Sequence, residues 1–495
     1  MHATTTAESL DIHSRSVAQR RLIAEGIFAS GQENISGGVI LLVYALALGA
    51  NTFQIGLIST AGMLGTALQL VADRLLKAAG SRKRVGCAAT ALLGAGRLSI
   101  ALLPYATVWI AAQYLAWGLL AGLVIISGVA QVIEVVRLSW ISEVVPENER
   151  GRFLGERQLV VQLIGSVIAI CAAGFLDWQK GIDAARGLVV CQAYFAIAAF
   201  LAVGSIAAFL MMPEPPLRIR NGNGGWHVIV APFKDAKFFP LMVYSLTWNF
   251  AVGFAAPFFN LYLIQVLQMP VSAVAALNFA SQFFSLYCVR LWGRLVDRFG
   301  SLPVLRIGVF GKGLYPIAWF LLWPTPETYS TTLLYFLTTC VFFFNVFNSA
   351  NAVSTVSLAM RLMPKDEGTS YLATFRTFAN WVHAVSPALA GIISTGLQGI
   401  GWPLQFSIFL LFAISAIGRF AALWTLRFVH EPDARKVSRV FAALRRVPGF
   451  SFSRGIMPWF RFWGGPFWAG FAMVKIRMGR MVSTWRGAWP GQDNG

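Results

Sequence analysis

Twelve long apolar segments run through this 495-residue chain and constrain its fold more than any other feature. A helix needs about 20 mostly apolar residues to cross the hydrocarbon core of a bilayer, and each segment reaches that length. Only 12% of the residues are charged, against roughly 25% in a soluble domain. The sequence therefore predicts an all-α membrane protein with twelve transmembrane helices. The predicted spans are 22–49, 52–75, 85–105, 108–136, 154–176, 187–212, 238–266, 271–292, 304–323, 330–360, 371–397 and 403–428.

Basic residues are concentrated in the even-numbered loops between these spans, whereas the odd-numbered loops carry few or balanced charges. Lys and Arg favour the cytoplasmic side of a membrane. Both termini are therefore predicted to be cytoplasmic, in a multi-pass protein of the inner (plasma) membrane. The net charge of +19 suits contact with anionic lipid. No zinc spacing, RNA-binding signature or basic heptad indicates a nucleic-acid partner, and the five cysteines fit small apolar fillers better than metal ligands or disulfides.

The longest polar interruption is rich in Pro and Gly and divides the chain into two sets of six predicted helices. The two sets share landmarks: residues 146–158 align without gaps on 364–376, so that Pro146 meets Pro364 and Glu149 meets Glu367. An internal duplication is therefore predicted. The predicted organisation is a cytoplasmic segment (1–21), a six-helix bundle (22–212), a cytoplasmic linker (213–237), a second six-helix bundle (238–428) and a tail (429–495).

The stretch GRLVDRFGSLPVL, residues 293–305, resembles the loop motif that the major facilitator superfamily carries between helices 2 and 3 and repeats between helices 8 and 9. The first copy is degraded, with Gln69 in place of the leading glycine. The resemblance implies two pseudo-symmetric six-helix bundles and a transporter that moves a small solute by alternating access, with proton coupling as one option. It implies neither an enzyme nor a cofactor. The residues that carry the motif are Gly293, Asp297, Arg298 and Gly300 in the second copy, and Asp73 and Arg74 in the first.

By the pseudo-symmetry of that family, Asp73 would face the start of helix 11 and Asp297 the start of helix 5. A carboxylate is favourable there because a helix start exposes unpaired N–H groups and a partial positive charge. Such contacts would close the cytoplasmic side. The alternative is a solvated turn that merely obeys the charge bias of the loops. Glu134 and Arg137, three residues apart, can pair on one helix face, either within this gate or as a plain interfacial pair.

Ionisable residues at membrane depth are costly and are candidates for function. Glu33 in helix 1 could carry a coupling proton or bind a cationic group, or it could be a buried structural acid. His383 in helix 11 could titrate near neutral pH, or it could be a hydrogen-bonded structural residue. Glu25 is expected to cap the cytoplasmic end of its span. Arg97, in helix 3, is expected to form a structural ion pair or to snorkel rather than to contact solute.

Amide side chains recur at helical spacing in several spans, which predicts a polar and mostly uncharged cavity; hydrogen bonding between helices is the alternative for any one of them. The predicted pathway adds, to Glu33 and His383, the residues Gln158, Gln162, Asn249, Gln282, Asn345, Asn348, Asn351, Arg376 and Asn380.

The tail, residues 429–495, mixes aromatic residues with eleven Lys or Arg and three Asp or Glu. Such segments lie in the membrane interface and contact anionic lipid; a docking surface for a protein is the alternative. The chain is predicted to act as a monomer on a small-molecule substrate. The competing hypothesis is a non-transporting scaffold or assembly factor that acts through this tail.

Overall fold

The computed structural model describes residues 12–64, 75–76, 78–109, 111–146, 149–214, 226–322, 331–364, 368–432, 437 and 440. Within these ranges the chain forms helices and turns and no strand. The helices are α1 (Ile12–Ser36), α2 (Gly38–Ala47), α3 (Thr52–Leu64), α4 (Arg82–Leu102), α5 (Leu115–Val144), α6 (Arg150–Ile182), α7 (Ala184–Leu210), α8 (Trp226–Lys234), α9 (Phe239–Leu261), α10 (Val271–Phe299), α11 (Ser301–Ala318), α12 (Thr331–Phe343), α13 (Val346–Leu362), α14 (Gly368–Gly399) and α15 (Leu404–Thr425).

Nine helices of the described part are long and apolar enough to cross a membrane. They coincide with nine of the twelve predicted spans and support a multi-pass membrane protein. The predicted spans 22–49, 52–75 and 371–397 are not among them, although each is helical in its described part. The first is divided between α1 and α2, the second continues into 65–74 outside the described residues, and the third carries a polar stripe that lowers its hydropathy. Twelve spans and cytoplasmic termini remain predictions.

Two predicted spans are interrupted near their middles. Gly37 separates α1 from α2 with an extended backbone (φ −123°, ψ −167°), and Gly38 follows at φ +55°, where glycine is favoured. In the tenth predicted span, Phe344 and Asn345 form a turn between α12 and α13. Interrupted helices leave backbone polar groups without intrahelical partners at a depth where water is scarce.

The chain divides into two compact units, Met1–Ala280 with Lys365–Arg419, and Ser281–Pro364 with Phe420–Gly495. In the first unit α1 and α4 each pack on α7, and α14 packs on both α3 and α9. In the second unit α11 packs on α13, and Trp292, Phe299 and Val346 belong to its buried core. The predicted division into two six-helix bundles stays a prediction, and most of the tail lies outside the described residues.

Helices α3 and α14 meet backbone to backbone. A Cβ on Gly56 would lie 2.3 Å from the carbonyl oxygen of Pro387, and one on Gly391 would lie 2.8 Å from the Cα of Phe53. Glycine at both positions is therefore required for the helices to approach this closely. This contact joins a helix of the first predicted bundle to one of the second.

Two glutamates that precede a proline cap the first turns of other helices. Glu214 accepts the backbone N–H groups of Arg82 and Lys83 at the start of α4. Glu431 accepts those of Ser301 and Leu302 at 2.9 and 2.7 Å, at the start of α11. Each carboxylate satisfies orphan donors and complements the helix dipole. The two caps are equivalent by position, since each follows the sixth predicted helix of its half and holds the third.

Candidate transport pathway and gates

Seven predicted pathway residues lie in the first unit, on α1, α6, α9 and α14. Four of them have exposed side chains: Glu33, Gln158, Arg376 and Asn380. Gln162, Asn249 and His383 are half-buried. A charged or amide side chain turned toward lipid would be costly. That these side chains line a water-filled pathway stays a prediction.

His383 and Asn249, both predicted to line the pathway, meet where α14 crosses α9. His383 Nδ1 lies 3.2 Å from the carbonyl oxygen of Asn249. Because a carbonyl oxygen only accepts, Nδ1 is the donor, which leaves Nε2 as the ring nitrogen that can take up a proton. The Asn249 amide donates to the Ser245 carbonyl oxygen on its own helix at 2.8 Å. Glycine at 253 permits the crossing, since a Cβ there would lie 2.3 Å from Ser386 Oγ.

An ionic cluster, Glu25, Glu134, Arg137 and Arg157, connects α1, α5 and α6. Arg137 donates through Nε and Nη2 to the two oxygens of Glu25, each at 2.8 Å, and also contacts Glu134. Arg157 Nη2 lies 3.6 Å from Glu25 Oε2. Glu25, whose side chain is 1% exposed, therefore bridges two arginines instead of capping a span. Glu134 and Arg137 form an ion pair on one face of α5, as their three-residue spacing allows. A role for this pair in gating stays a prediction.

Arg97 faces away from solvent and finds a neutral partner. Its guanidinium donates from Nη1 to Gln32 Oε1, and Gln32 Nε2 donates to Ser205 Oγ at 2.9 Å. This chain of hydrogen bonds links α4, α1 and α7. The expected structural role fits these contacts, although the partner of the guanidinium is an amide and not an acid.

The remaining pathway residues belong to the second unit, and three of them lie at or near the start of α13. Asn345, half-buried at the interruption, accepts a hydrogen bond from Lys312 Nζ, which also lies 4.4 Å from the centroid of the Tyr315 ring. Asn348 is exposed and Asn351 is buried. The predicted amide stripe thus faces different surroundings along its length: Asn345 lies in the turn before α13, and a spacing of three residues turns Asn351 by about 60° from Asn348 on the helix surface. Gln282, on α10, is exposed.

The predicted cytoplasmic gate is described in part. Asp73 and Arg74 lie outside the described residues. Asp297 and Arg298 are exposed near the end of α10. Gly293 lies in the same helix, and Gly300 follows it with φ +97°, which favours glycine. The partners that the sequence predicts for Asp73 and Asp297 therefore stay predictions.

At the opposite ends of the helices, two contacts that we call the outer latches join helices from the two predicted halves. Asp177 at the end of α6 accepts the backbone N–H groups of Val271 and Ser272 at 2.9 and 2.7 Å and the Ser272 hydroxyl at 2.6 Å. Thr395 near the end of α14 accepts the backbone N–H of Phe53 at 2.9 Å. Each latch thus holds the first turn of a helix from the other half.

The outer latches are related by the predicted duplication. The alignment of residue 146 with residue 364 means that equivalent positions in the two halves are 218 residues apart in the sequence (364 less 146). The same displacement takes Asp177 to Thr395 (395 less 177) and Phe53 to Val271 (271 less 53). The donor and the acceptor of one latch therefore correspond to the donor and the acceptor of the other, which supports an internal duplication independently of the loop motif.

Residues 23–387 match the sequence profile of the Major Facilitator Superfamily. The chain belongs to this superfamily. The family and the fold together support secondary transport across a membrane by a multi-pass protein. No curated protein sequence matches the chain at a significant level.

Solved structures of superfamily transporters share the fold at low identity. A mutant of the nucleoside transporter NupG is 16% identical, covers 82% of this chain and 99% of its own, and superposes with a TM-score of 0.63. The inward-open xylose transporter XylE from E. coli is 17% identical over 86% of this chain and 99% of its own, with a TM-score of 0.59. A bacterial homologue of the iron transporter ferroportin, in an inward-facing state, is 12% identical over 84% and 99%, with a TM-score of 0.61.

Sequence reasoning missed several residues that the structure brings into contacts between helices, among them Asp177, Thr395, Arg157 and Lys312. Asp177 lies in an odd-numbered loop whose charges balance, so the loop charges alone assign it no role. The displacement of 218 residues was the signal that could have paired it with Thr395. Lys312 could have been found as an ionisable residue inside an apolar run.

Proposed function

We propose that this superfamily member is a secondary active transporter that moves a small polar solute by alternating access, coupled to a cation gradient such as that of protons. The observation that carries the proposal is the pair of outer latches. Each is a small set of hydrogen bonds between helices of the two predicted halves, and such contacts can form and break without unfolding either helix. Transport by rocking of two repeats requires contacts of this kind.

In this mechanism the outer latches close the side opposite the basic loops. The solute then reaches the pathway from the cytoplasmic side. When the latches release, the cytoplasmic side closes, and Asp297 is proposed to take part there. The four described residues of the superfamily motif, Gly293, Asp297, Arg298 and Gly300, are therefore expected to act in the half of the cycle opposite to that of Asp177 and Thr395.

The chemistry of the pathway favours a polar solute with hydroxyl or carbonyl groups, since amides provide both donors and acceptors. Glu33, Arg376 and His383 add titratable or charged groups to this set. Among the neighbours, a nucleoside transporter and a D-xylose–proton symporter carry solutes of this kind. We propose that the protein acts as a monomer, and that its basic tail contacts anionic lipid.

A cross-link across one outer latch tests the proposal. In a variant that lacks the five native cysteines, Asp177→Cys with Ser272→Cys places two thiols where the side chains now share a 2.6 Å hydrogen bond. Proteoliposomes would be screened for uptake and efflux of nucleosides, sugars and other polar solutes, with and without a pH or Na⁺ gradient. Oxidation is expected to stop the flux, and a reductant to restore it. The single Asp177→Cys variant, oxidised in parallel, is the control.

Two results would overturn the proposal: gradient-dependent flux of no solute class, or unchanged flux through the cross-linked protein. The scaffold hypothesis differs from this proposal because it assigns the function to the tail. Deletion of 435–495 is expected to leave the flux intact. A cellular function that is lost on this deletion, in a protein with no measurable flux, would support the scaffold instead.

A further inference from the structure

Arg376 and Asn380 lie one turn apart on α14, inside the predicted span 371–397, and both side chains are exposed. Within the described residues neither side chain forms an ion pair or a hydrogen bond. A charged or amide group against bare lipid tails would be costly. These two side chains therefore need water, a ligand or lipid headgroups beside them.

The face of α14 that carries Arg376 and Asn380 is the face that packs on α3 further along the helix. Pro387 and Gly391 form that close contact, and a Cβ on Gly391 would lie 2.8 Å from the Cα of Phe53. Eleven residues separate Arg376 from Pro387, and eleven separate Asn380 from Gly391, which is three helical turns and about 20°. The two polar side chains thus continue the stripe along which α14 meets a helix of the other predicted half. This position favours the seam between the halves, and not lipid, as their surrounding.

The opposite side of α14 is held by aromatic packing. The rings of Tyr371 and Phe375 lie 5.2 and 5.9 Å from the ring of Phe238, centroid to centroid. Phe375 and Asn380 are five residues apart, so their side chains leave the helix about 140° apart. The aromatic contacts therefore fix the rotation of α14 and keep the polar stripe turned away from them.

The described helices around this stripe carry positive charge and no acid. Three helices pack on α14, namely α3, α9 and α8, and neither they nor α14 itself contain Asp or Glu. Lys234 ends α8, and the buried Arg419 of α15 interacts electrostatically with His383 of α14. A seam lined by one sign of charge attracts counter-ions. The counter-ion of Arg376 is therefore expected to come from outside these helices.

We infer that Arg376 and Asn380 form a binding site for the anionic group, a carboxylate or a phosphate, of the transported solute. A guanidinium binds such a group through two parallel N–H donors, and the Asn380 amide adds a donor about 6 Å further along the helix. His383, about 10 Å from Arg376 along α14, lies next to the uncharged part of a small organic anion. The inference rests on the proposed function and names its substrate class, an organic anion in place of a neutral sugar or nucleoside.

Binding can be measured without transport. The full chain, in nanodiscs of phosphatidylcholine, would be titrated calorimetrically with pairs of solutes that differ in one anionic group. The pairs are gluconate with glucose, glycerol phosphate with glycerol, adenylate with adenosine, and benzoate with benzamide. We expect the tightest ligand to be an anion whose neutral counterpart binds at least about tenfold more weakly.

Variants of the two residues decide the assignment. Arg376→Gln is expected to weaken binding of the anion by about 10- to 150-fold and to remove the preference over its neutral counterpart. Arg376→Lys keeps the charge without the planar fork and should give an intermediate affinity, and Asn380→Ala should weaken binding by about tenfold or less. Arg186→Gln, which removes an exposed arginine from the first turn of α7, is the matched control and should change nothing. Because Arg376 has no hydrogen bond in the described structure, its variants should keep the unfolding midpoint of the wild type.

A lipid headgroup offers the same anionic chemistry, so the titrations would be repeated with phosphatidylglycerol in the nanodiscs. Stabilisation of the wild type but not of Arg376→Gln by this lipid, with no soluble anion bound, would assign the site to lipid and overturn the inference. A neutral solute as the tightest ligand, or an anion that binds folded Arg376→Gln as well as the wild type, would also overturn it.

The inference and the proposed function can fail separately. Anion binding that depends on Arg376 in a protein without flux would preserve the site and remove the proposed function. Gradient-driven flux of neutral solutes alone, with no anion bound at Arg376, would do the reverse.

Discussion

Asp177 and Thr395, 218 residues apart, each accept a backbone N–H at 2.9 Å from the first turn of a helix in the other half, Val271 and Phe53 respectively. The two latches differ in strength. Asp177 offers a charged carboxylate to three donors, whereas Thr395 offers a neutral hydroxyl to one. Hydrogen bonds to charged groups contribute about 1.5–3 kcal/mol, against about 0.5–1.5 for neutral ones. Gln398, close to Thr395 on α14, adds a 2.8 Å hydrogen bond to the Thr52 hydroxyl, which is also between neutral groups. We therefore expect the Asp177 latch to be the stronger of the two.

Replacement of Asp177 by alanine is expected to open the outer end more than Thr395→Val does. A loss of about 1.5–3 kcal/mol corresponds to a roughly 10- to 150-fold shift of a two-state equilibrium, and a neutral bond to about tenfold or less. The reporter is Val274→Cys in a background without the native cysteines. Val274 lies one turn behind the Asp177 latch and is fully buried, so a membrane-impermeant maleimide should label it faster when the latch opens.

The matched control is Asp183→Ala. The Asp183 side chain caps α7 by accepting the Ala185 N–H at 2.9 Å and is not part of either outer latch, so labelling of the Val274→Cys reporter should not change. Equal labelling rates in the Asp177, Thr395 and Asp183 variants would contradict the proposal that the Asp177 contact holds the outer end closed.

Gly56→Ala is expected to destabilise the contact between α3 and α14. The added methyl group would lie 2.3 Å from a backbone oxygen of Pro387, which cannot move without shifting the helix. Overpacking of this kind costs about 1–3 kcal/mol. Gly174→Ala in α6 is the control, because a Cβ there meets no atom within 4 Å. Thermal unfolding in detergent should separate the two variants; a stable Gly56→Ala protein would show that the close approach is not required.

Glu25→Gln is expected to be the most destabilising of the single acid-to-amide changes in the ionic cluster, because Glu25 is the buried acid. It leaves Arg137 without the anion that accepts two of its donors, and breaking a buried pair costs about 3–5 kcal/mol. Glu134→Gln should cost less, since that side chain is 39% exposed. The double variant Glu25→Gln, Arg137→Gln should be more stable than the sum of the single changes implies. If the losses of unfolding free energy in the two single variants add up to the loss in the double variant, Glu25 and Arg137 do not stabilise each other.

The two glutamates that cap α4 and α11 should also differ in how much each stabilises the fold, and the buried one should contribute more. Glu431 is buried, also pairs with Arg361 at 2.8 Å, and holds the start of α11; its replacement by alanine is expected to cost about 2–3 kcal/mol. Glu214 is exposed, and Glu214→Ala should cost about 0.5–1 kcal/mol. Unfolding by SDS in mixed micelles measures both variants. The reverse order of stability would show that the caps are not the dominant contacts of these side chains.

The sequence by itself determined the class of protein and the limits of most spans, because hydropathy is a local property that each segment carries within its own 20 or so residues. It also determined the superfamily, and the alignment of 146–158 on 364–376 already contained the displacement that relates the outer latches. The pairing of Glu134 with Arg137 follows from their spacing along one helix.

Only the tertiary structure decided which side chains meet across helices. Asp177 contacts residues 94 and 95 positions away, and Thr395 contacts Phe53 across 342 positions. No local pattern encodes such distances. The interruption at Gly37 was equally hidden, since glycine occurs in many membrane helices without breaking them. Packing against neighbouring helices decides whether a glycine interrupts a helix. It also decides why Glu25 is bridged by two arginines whereas Glu33 is exposed.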